Sequence, residues 1–215
     1  MTLAKIAEII AERAGRQFDL PFQKELKDLI VITRARVLTN SLSKNPANKK
    51  YYTNSIILNL EEVSKDECDT LECKCLLKTT TKVPKSLRVG GNLYDYVGSP
   101  GGHRPFGWTT FGAEQFMAAS KYVGKRERYT QVNDYIYIFN DKTSEKIRIE
   151  DVFADPRILA NFSCSAEEKI PCYSETSDFI ADEAVTQVVI DSILSTFIRL
   201  QPIEEKIEIK TDKNV

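Results

Sequence analysis

The feature that most constrains this chain is the run Tyr135-Ile136-Tyr137-Ile138-Phe139. Successive side chains of a strand point to opposite faces, so Tyr135, Tyr137 and Phe139 line one face and Ile136 and Ile138 the other. Both faces are apolar, and both need cover. Asn133-Asp134 precedes the run and Asn140-Asp141 follows it, and such pairs mark tight turns between strands. With Arg128-Tyr129-Thr130 upstream and Ile147-Arg148-Ile149 downstream, the pattern predicts a three-stranded meander.

A second constraint is the apolar segment from Asp182 to Leu200, reached through a turn in which Asp155 caps a short helix and Pro156 takes its first position. Val185, Val188, Val189, Ser192, Phe197 and Leu200 recur at helical spacing, with Ile193 and Thr196 beside them. Ile190, Leu194 and Ile198 widen the stripe, which predicts a helix buried on more than one side. The β-branched run Val185 to Ile190 also suits a strand. At the other end of the chain, Thr2 caps a helix carrying Leu3, Ile6, Ile9 and Ile10, and Gly15 stops it. Asp19 and Pro21 then start a second, with Leu26, Leu29, Ile30, Thr33 and Val37 as its stripe.

Between these helices the reading is strand and loop. Ser41 to Lys50 is polar, holds Pro46 and reads as a flexible loop. Tyr52 to Leu60 suits a strand, Glu61 to Asp69 a turn or short helix, and Cys73 to Thr81 another strand. Pro84 bars its surroundings from a central strand. Gly98 to Gly102 is a turn, and Ala113 to Tyr122 a short helix. The expected fold class is α+β. An N-terminal helical pair (1–50) and C-terminal helices (151–200) form a helical body, an antiparallel β-rich region (51–150) is inserted, and 201–215 is an extended tail. After Pro202 that tail alternates from Ile203 to Ile209, which suits an edge strand added to a partner or a frayed terminus.

Lys and Arg number 30 against 31 Asp and Glu, a formal net charge of -1. A dedicated nucleic-acid binder would normally be basic. Met1 to Ala14 lacks an apolar signal core, and no run approaches the roughly 20 apolar residues of a membrane span. The expectation is a soluble protein made in a cytoplasm, with no membrane partner. The five cysteines, an odd number, are expected as free thiols.

Reactive chemistry finds little support. Cys68, Cys73 and Cys75 lie close in sequence, but zinc knuckles of the CxxC type are absent, and buried apolar thiols are the expected state. His103 sits in a Gly/Pro loop with no nucleophile elbow to pair with. Gly90-Gly91 and Gly98 to Gly102 do not match a phosphate loop, and Pro100 removes an amide donor. Asp151, Asp155, Asp178 and Asp182 fit helix caps and first turns. Lys121 to Tyr129 interleaves basic and aromatic residues as single-strand binders do, but Glu127 interrupts it. No catalytic residue, cofactor or metal is therefore expected. An intracellular metal-binding regulator or enzyme using the cysteines and His103, or a DNA-binding accessory protein using Lys121 to Arg128, stands as the alternative.

Three segments carry a resemblance. They are Asp66-Glu67-Cys68 with Thr79 to Pro84, then Tyr135 to Asn140, then Ile149 to Leu159 with Asp178-Phe179-Ile180-Ala181-Asp182-Glu183. Together they resemble structural proteins of crAss-like, short-tailed phages of gut Bacteroidetes. The layout is similar to the head-to-tail adaptor, or tail tubular protein A, of other podoviruses. The resemblance implies a non-enzymatic virion subunit in a dodecameric connector ring below the portal, with other tail ring proteins as partners and DNA passing through the lumen during ejection. On that reading Tyr135, Tyr137, Val185, Val189, Ile193, Phe197, Ile207 and Ile209 are the expected interface residues.

Overall fold

Helices form where the caps place them. In this computed structural model, which describes residues 1–64, 76–89, 93–120, 124–141, 143–165, 170–179 and 182–200, Thr2 accepts the Lys5 amide at 3.3 Å and opens α1 (Leu3–Arg13). Gly15, at φ 68°, ends that helix in the left-handed region glycine tolerates. Asp19 accepts the Phe22 amide at 2.9 Å and opens α2 (Leu20–Lys44), with Pro21 in its first turn. The expected loop from Ser41 to Lys50 is instead helical. Leu38 and Leu42 are both fully buried and carry the apolar stripe on to Lys44, and Pro46–Tyr51 follows as a 3-10 turn.

The strands are β1 (Asn54–Glu62), β2 (Leu76–Thr79), β3 (Tyr96–Gly98), β4 (Gly107–Trp108), β5 (Arg128–Val132), β6 (Tyr135–Phe139) and β7 (Lys146–Asp151). They form one seven-stranded sheet in the order β3-β7-β1-β2-β6-β5-β4. β5 and β6 are a hairpin turned by Asn133 and Asp134 at φ 52° and 67°, the positive values a primed turn needs. The predicted meander stops there. β7 does not lie beside β6 but crosses to β1, with Asn54 opposite Asp151 and Asn59 opposite Lys146, and takes β3 on its other edge. The nine-residue β1 makes this possible, because its first six residues pair with β7 and its last three with β2.

The two ends of that order meet. Gly98 at the end of β3 bridges Pro105 before β4, and the Phe106 amide donates to the Val97 carbonyl at 2.7 Å. A Cβ on Gly98 would lie 2.1 Å from the Arg104 carbonyl oxygen, so only glycine permits this approach. The sheet is thus a nearly closed barrel with its own core, including Ile56, Leu58, Leu77, Ile136, Ile138, Ile147 and Ile149. The other face of β6 is covered by α3 (Phe111–Ala118), where Phe111 packs edge-on against Tyr137 and Phe139. Both faces of the run Tyr135–Phe139 are thereby used.

The expected fold class, a helical body carrying an inserted β region, is therefore corrected. The β-strands close on themselves into the larger unit, and the helices pack on it. α4 (Glu183–Leu200) lies against α2 and α1 in a second apolar cluster. The helix expected over this β-branched segment forms, and not the strand, but α4 is not buried on two sides. Val189 is 2% exposed and its neighbour Val188 52%. A one-sided helix covers one core and faces outward with the rest.

The two cores join at the end of β7. Val152 belongs to the helical cluster and Phe153 to the barrel cluster, and both are fully buried. Phe153→Ala is expected to lower the unfolding free energy by about 3–5 kcal/mol. Urea unfolding followed by circular dichroism measures it, and an unchanged midpoint would show that the joint carries no weight.

Candidate assembly surfaces

Charged groups fix the joint from both sides. From the helical side, the fully buried Arg34 of α2 donates Nη1 to the Phe153 carbonyl at 3.3 Å, and its guanidinium stands 5.5 Å from the Phe179 ring centre. Burial pulls its pKa down to about 10. From the 3-10 turn, Lys49 Nζ reaches Asp95 at 2.6 Å and Asp151 at 2.8 Å. Burial works against that ammonium, but hydrogen bonds to Asp151 and Asp95 outweigh it and hold its pKa above the ordinary lysine value. Burial also pushes the Asp151 carboxyl above the aspartate range, against the pull of Lys49 and the Val152 amide. Its Oδ2 finds no hydrogen-bond partner among the described residues.

Two further ties hold outlying elements. Tyr52, just before β1, donates to Asp182, just before α4. Desolvation and then this bond push the tyrosine up to about 12, while Tyr52 and the Val185 amide pull Asp182 below its usual value. On the barrel, Arg128 of β5 grips Glu114 of α3 at 2.5 and 2.6 Å, and Asn140 ties that carboxylate to the 124–126 backbone. Arg157 joins Asp155 and Asp28, pinning the turn at Pro156–Asn161 to α2.

Below the Gly98 bridge, β3 and β4 diverge around a cleft of about 670 Å³. Val97, Phe106 and Tyr129 are its buried floor, and Trp108, 58% exposed, is one wall. The Gly107 and Thr109 amides donate to Glu127 and Tyr129 on the β5 side. Trp108 lies between them, so its own N–H and C=O turn the other way, toward β3. Among the described residues, no backbone hydrogen bond crosses from β3 to β4 beyond Phe106. Among the described residues, this stretch of β4 is an open sheet edge.

The remaining exposed apolar side chains are dispersed. Phe18 is 88% exposed between α1 and α2, with Leu20 beside it, and Phe116 is 82% exposed on α3. Of the residues expected at an interface, Tyr137, Val185, Val189 and Ile193 are buried within the chain. Tyr135 is half-buried under Lys78, and Phe197 is half-buried against Phe22 at a ring separation of 5.4 Å. Ile207 and Ile209 lie outside the described residues. The exposure of Trp108 on β4 and of Phe116 on α3 depends on how those elements dock on the barrel, which no local sequence pattern records.

Other candidates are placed plainly. His103 is exposed in the turn at Ser99–Arg104. Cys164 and Cys172 form a disulfide with Cα atoms 5.0 Å apart, correcting the expectation of free thiols there. The bridge between Ser163 and Pro171 brings them together. Cys68, Cys73 and Cys75 lie outside the described residues. Among the described residues no three His, Cys, Asp or Glu side chains cluster as metal ligands, and no helix is long and apolar enough to cross a membrane. Asp155 caps its turn and Asp182 its helix, as expected, whereas Asp151 is a buried partner of Lys49 and Asp178 pairs with the N-terminus.

The chain matches the family model for phage tail ring protein 2, of the crAss-like phages, over residues 22–213. No curated protein matches it.

The Lys49 site yields a test with a definite sign. Lys49→Met leaves Asp151 buried without its cation, a change of about 3 kcal/mol near neutral pH. A carboxyl whose folded pKa stands above its unfolded value destabilises the fold above that pKa, and the cost fades as pH falls through it. The gap in urea midpoint between wild type and variant is therefore expected to narrow from about pH 7 to about pH 4. A gap that stays constant or widens in acid would remove Asp151 from this role.

Proposed function

The chain belongs to the crAss-like phage tail ring protein family, and we propose that it is a non-enzymatic subunit of a closed ring that joins the portal to the tail barrel and lines the DNA passage. The carrying observation is the family match over residues 22–213. Two features of the fold support the reading. Exposed apolar side chains stand at separate places, Phe18 and Leu20 at the α1–α2 connection and Trp108, Phe116 and Met117 on β4 and α3. A ring with cyclic symmetry needs two different faces on each copy, because its contacts run head to tail. The balanced charge, -1 overall, suits a lumen along which DNA slides without being held in sequence-specific contact.

The portal above and other ring proteins below are the partners this reading names, and a dodecameric ring is the stoichiometry it names. Mass photometry of the purified chain, followed by negative-stain electron microscopy with and without the portal, tests it. Closed rings that co-purify with the portal are the expected result. A strict monomer at the highest soluble concentration, with no portal binding, overturns it.

A further inference from the structure

We propose that the tail of one copy, residues 201–215, completes the barrel of the next by docking as an added strand in the cleft between β3 and β4. This rests on the ring reading above and names the contact that links its copies.

The cleft offers what an extended segment needs. It has a free edge at Trp108, whose backbone groups face away from β5. It has a buried apolar floor at Val97, Phe106 and Tyr129. Arg88 and Asp134 stand among its lining residues. An unpaired edge beside an apolar floor is the receptor geometry of strand addition, in which backbone bonds give affinity and alternate side chains give register.

The tail has the matching pattern. At period two, Ile203, Glu205, Ile207 and Ile209 share one face, and Glu204, Lys206, Glu208 and Lys210 share the other. One face is apolar but for Glu205, for which Arg88 is an available partner, and the other is wholly charged. The family match runs through this segment to residue 213.

The occupant is the neighbour's tail and not the chain's own. Asp182 is held by Tyr52 beside the barrel, while Phe197 packs on Phe22 at the start of α2, so α4 carries the chain away from the barrel. Its 18 residues span about 27 Å. Only Gln201 and Pro202 separate Leu200 from Ile203, a reach of about 10 Å. The cleft lies back near the foot of α4, since Asp95 on its lining is bonded to Lys49, three residues before Tyr52. Ile203 therefore lies beyond reach of its own cleft, so the chain's own tail could seat at most Ile207 and Ile209 there, whereas a neighbour's tail can seat the whole apolar face, Ile203 included.

Trp108 is the single tryptophan and lines the cleft, so its fluorescence reports occupancy. In the full-length chain, the triple variant Ile203→Glu, Ile207→Glu, Ile209→Glu is expected to raise the concentration needed for assembly by about tenfold or more. Its Trp108 emission is expected to stay at the red, solvent-exposed position. A synthetic peptide of residues 201–215, added to that variant, is expected to shift the emission to the blue saturably, and a scrambled peptide to leave it unchanged. Wild-type emission is expected to shift with concentration as copies associate. The proposal fails if the peptide leaves Trp108 unaltered, or if the triple variant assembles like wild type. A blue-shifted emission independent of concentration assigns the cleft to the chain's own tail and also overturns it. Rings formed by the triple variant would leave the ring reading standing while removing this contact. Absence of rings from the wild type would remove the ring reading while the peptide titration still decides the cleft.

Discussion

Everything in this fold meets at three consecutive buried residues, Asp151, Val152 and Phe153. Val152 turns into the helical cluster and Phe153 into the barrel, so one short stretch of backbone serves two cores. Burying backbone and a carboxylate there is costly unless each polar group is met. Arg34 meets the Phe153 carbonyl from the helical side, and Lys49 meets Asp151 from the 3-10 turn. A buried ion pair is weak evidence of net stability, since desolvation offsets much of the attraction. Its sharper effect is on alternatives: any docking of α2 that misaligns Arg34 or Lys49 strands a charge, so the charges select one seating of helices on barrel.

What the sequence showed and what it hid divide along contact range. Helix starts at Thr2 and Asp19, the cap at Asp155 and the turn at Asn133-Asp134 are local chemistry, settled within about four residues, and all could be read directly. The two-sided burial of Tyr135–Phe139 was also visible, because alternation gives each residue's face independently of the partner strand. The partner strands were not visible. β7 has the right alternation to follow β6, yet it pairs with β1, some ninety positions earlier. Nothing local separates these choices, since an edge is satisfied equally by either neighbour.

The closing helix shows the same limit from the other side. Apolar and β-branched residues crowd Val185 to Leu200, and periodicity alone suggested cover on several faces. The structure spends Val185, Val189, Ile190 and Ile193 on α1 and α2 and leaves Val188 outward. Residues that looked most like interface from the sequence, Tyr137 among them, are committed within the chain. Apolarity marks burial but not the body that provides it. The Gly98 closure was equally hidden: a glycine in a turn looks permissive, and only the approach of Arg104 shows that it is required.

A barrel that closes most of its edges is well suited to a ring subunit. Open edges recruit strands indiscriminately, and a chain made in many copies at high local concentration is exposed to that hazard. Here β1, β2, β5, β6 and β7 are paired on both sides for at least part of their length, and β3 meets the segment before β4 at Gly98. The open edge at Trp108 is short, belongs to a two-residue strand, and is walled by that bulky side chain. Such an edge admits few registers, so it favours one partner segment over general aggregation. Ring closure also demands that each copy present two unlike surfaces at a fixed angle. The buried charges of Arg34 and Lys49 supply that rigidity, because the helices and the barrel cannot swivel against each other without breaking their contacts to Phe153 and Asp151. A joint that fixes the internal angle of the subunit therefore holds the exposed side chains at the α1–α2 connection and those on β4 and α3 in one fixed relation to each other.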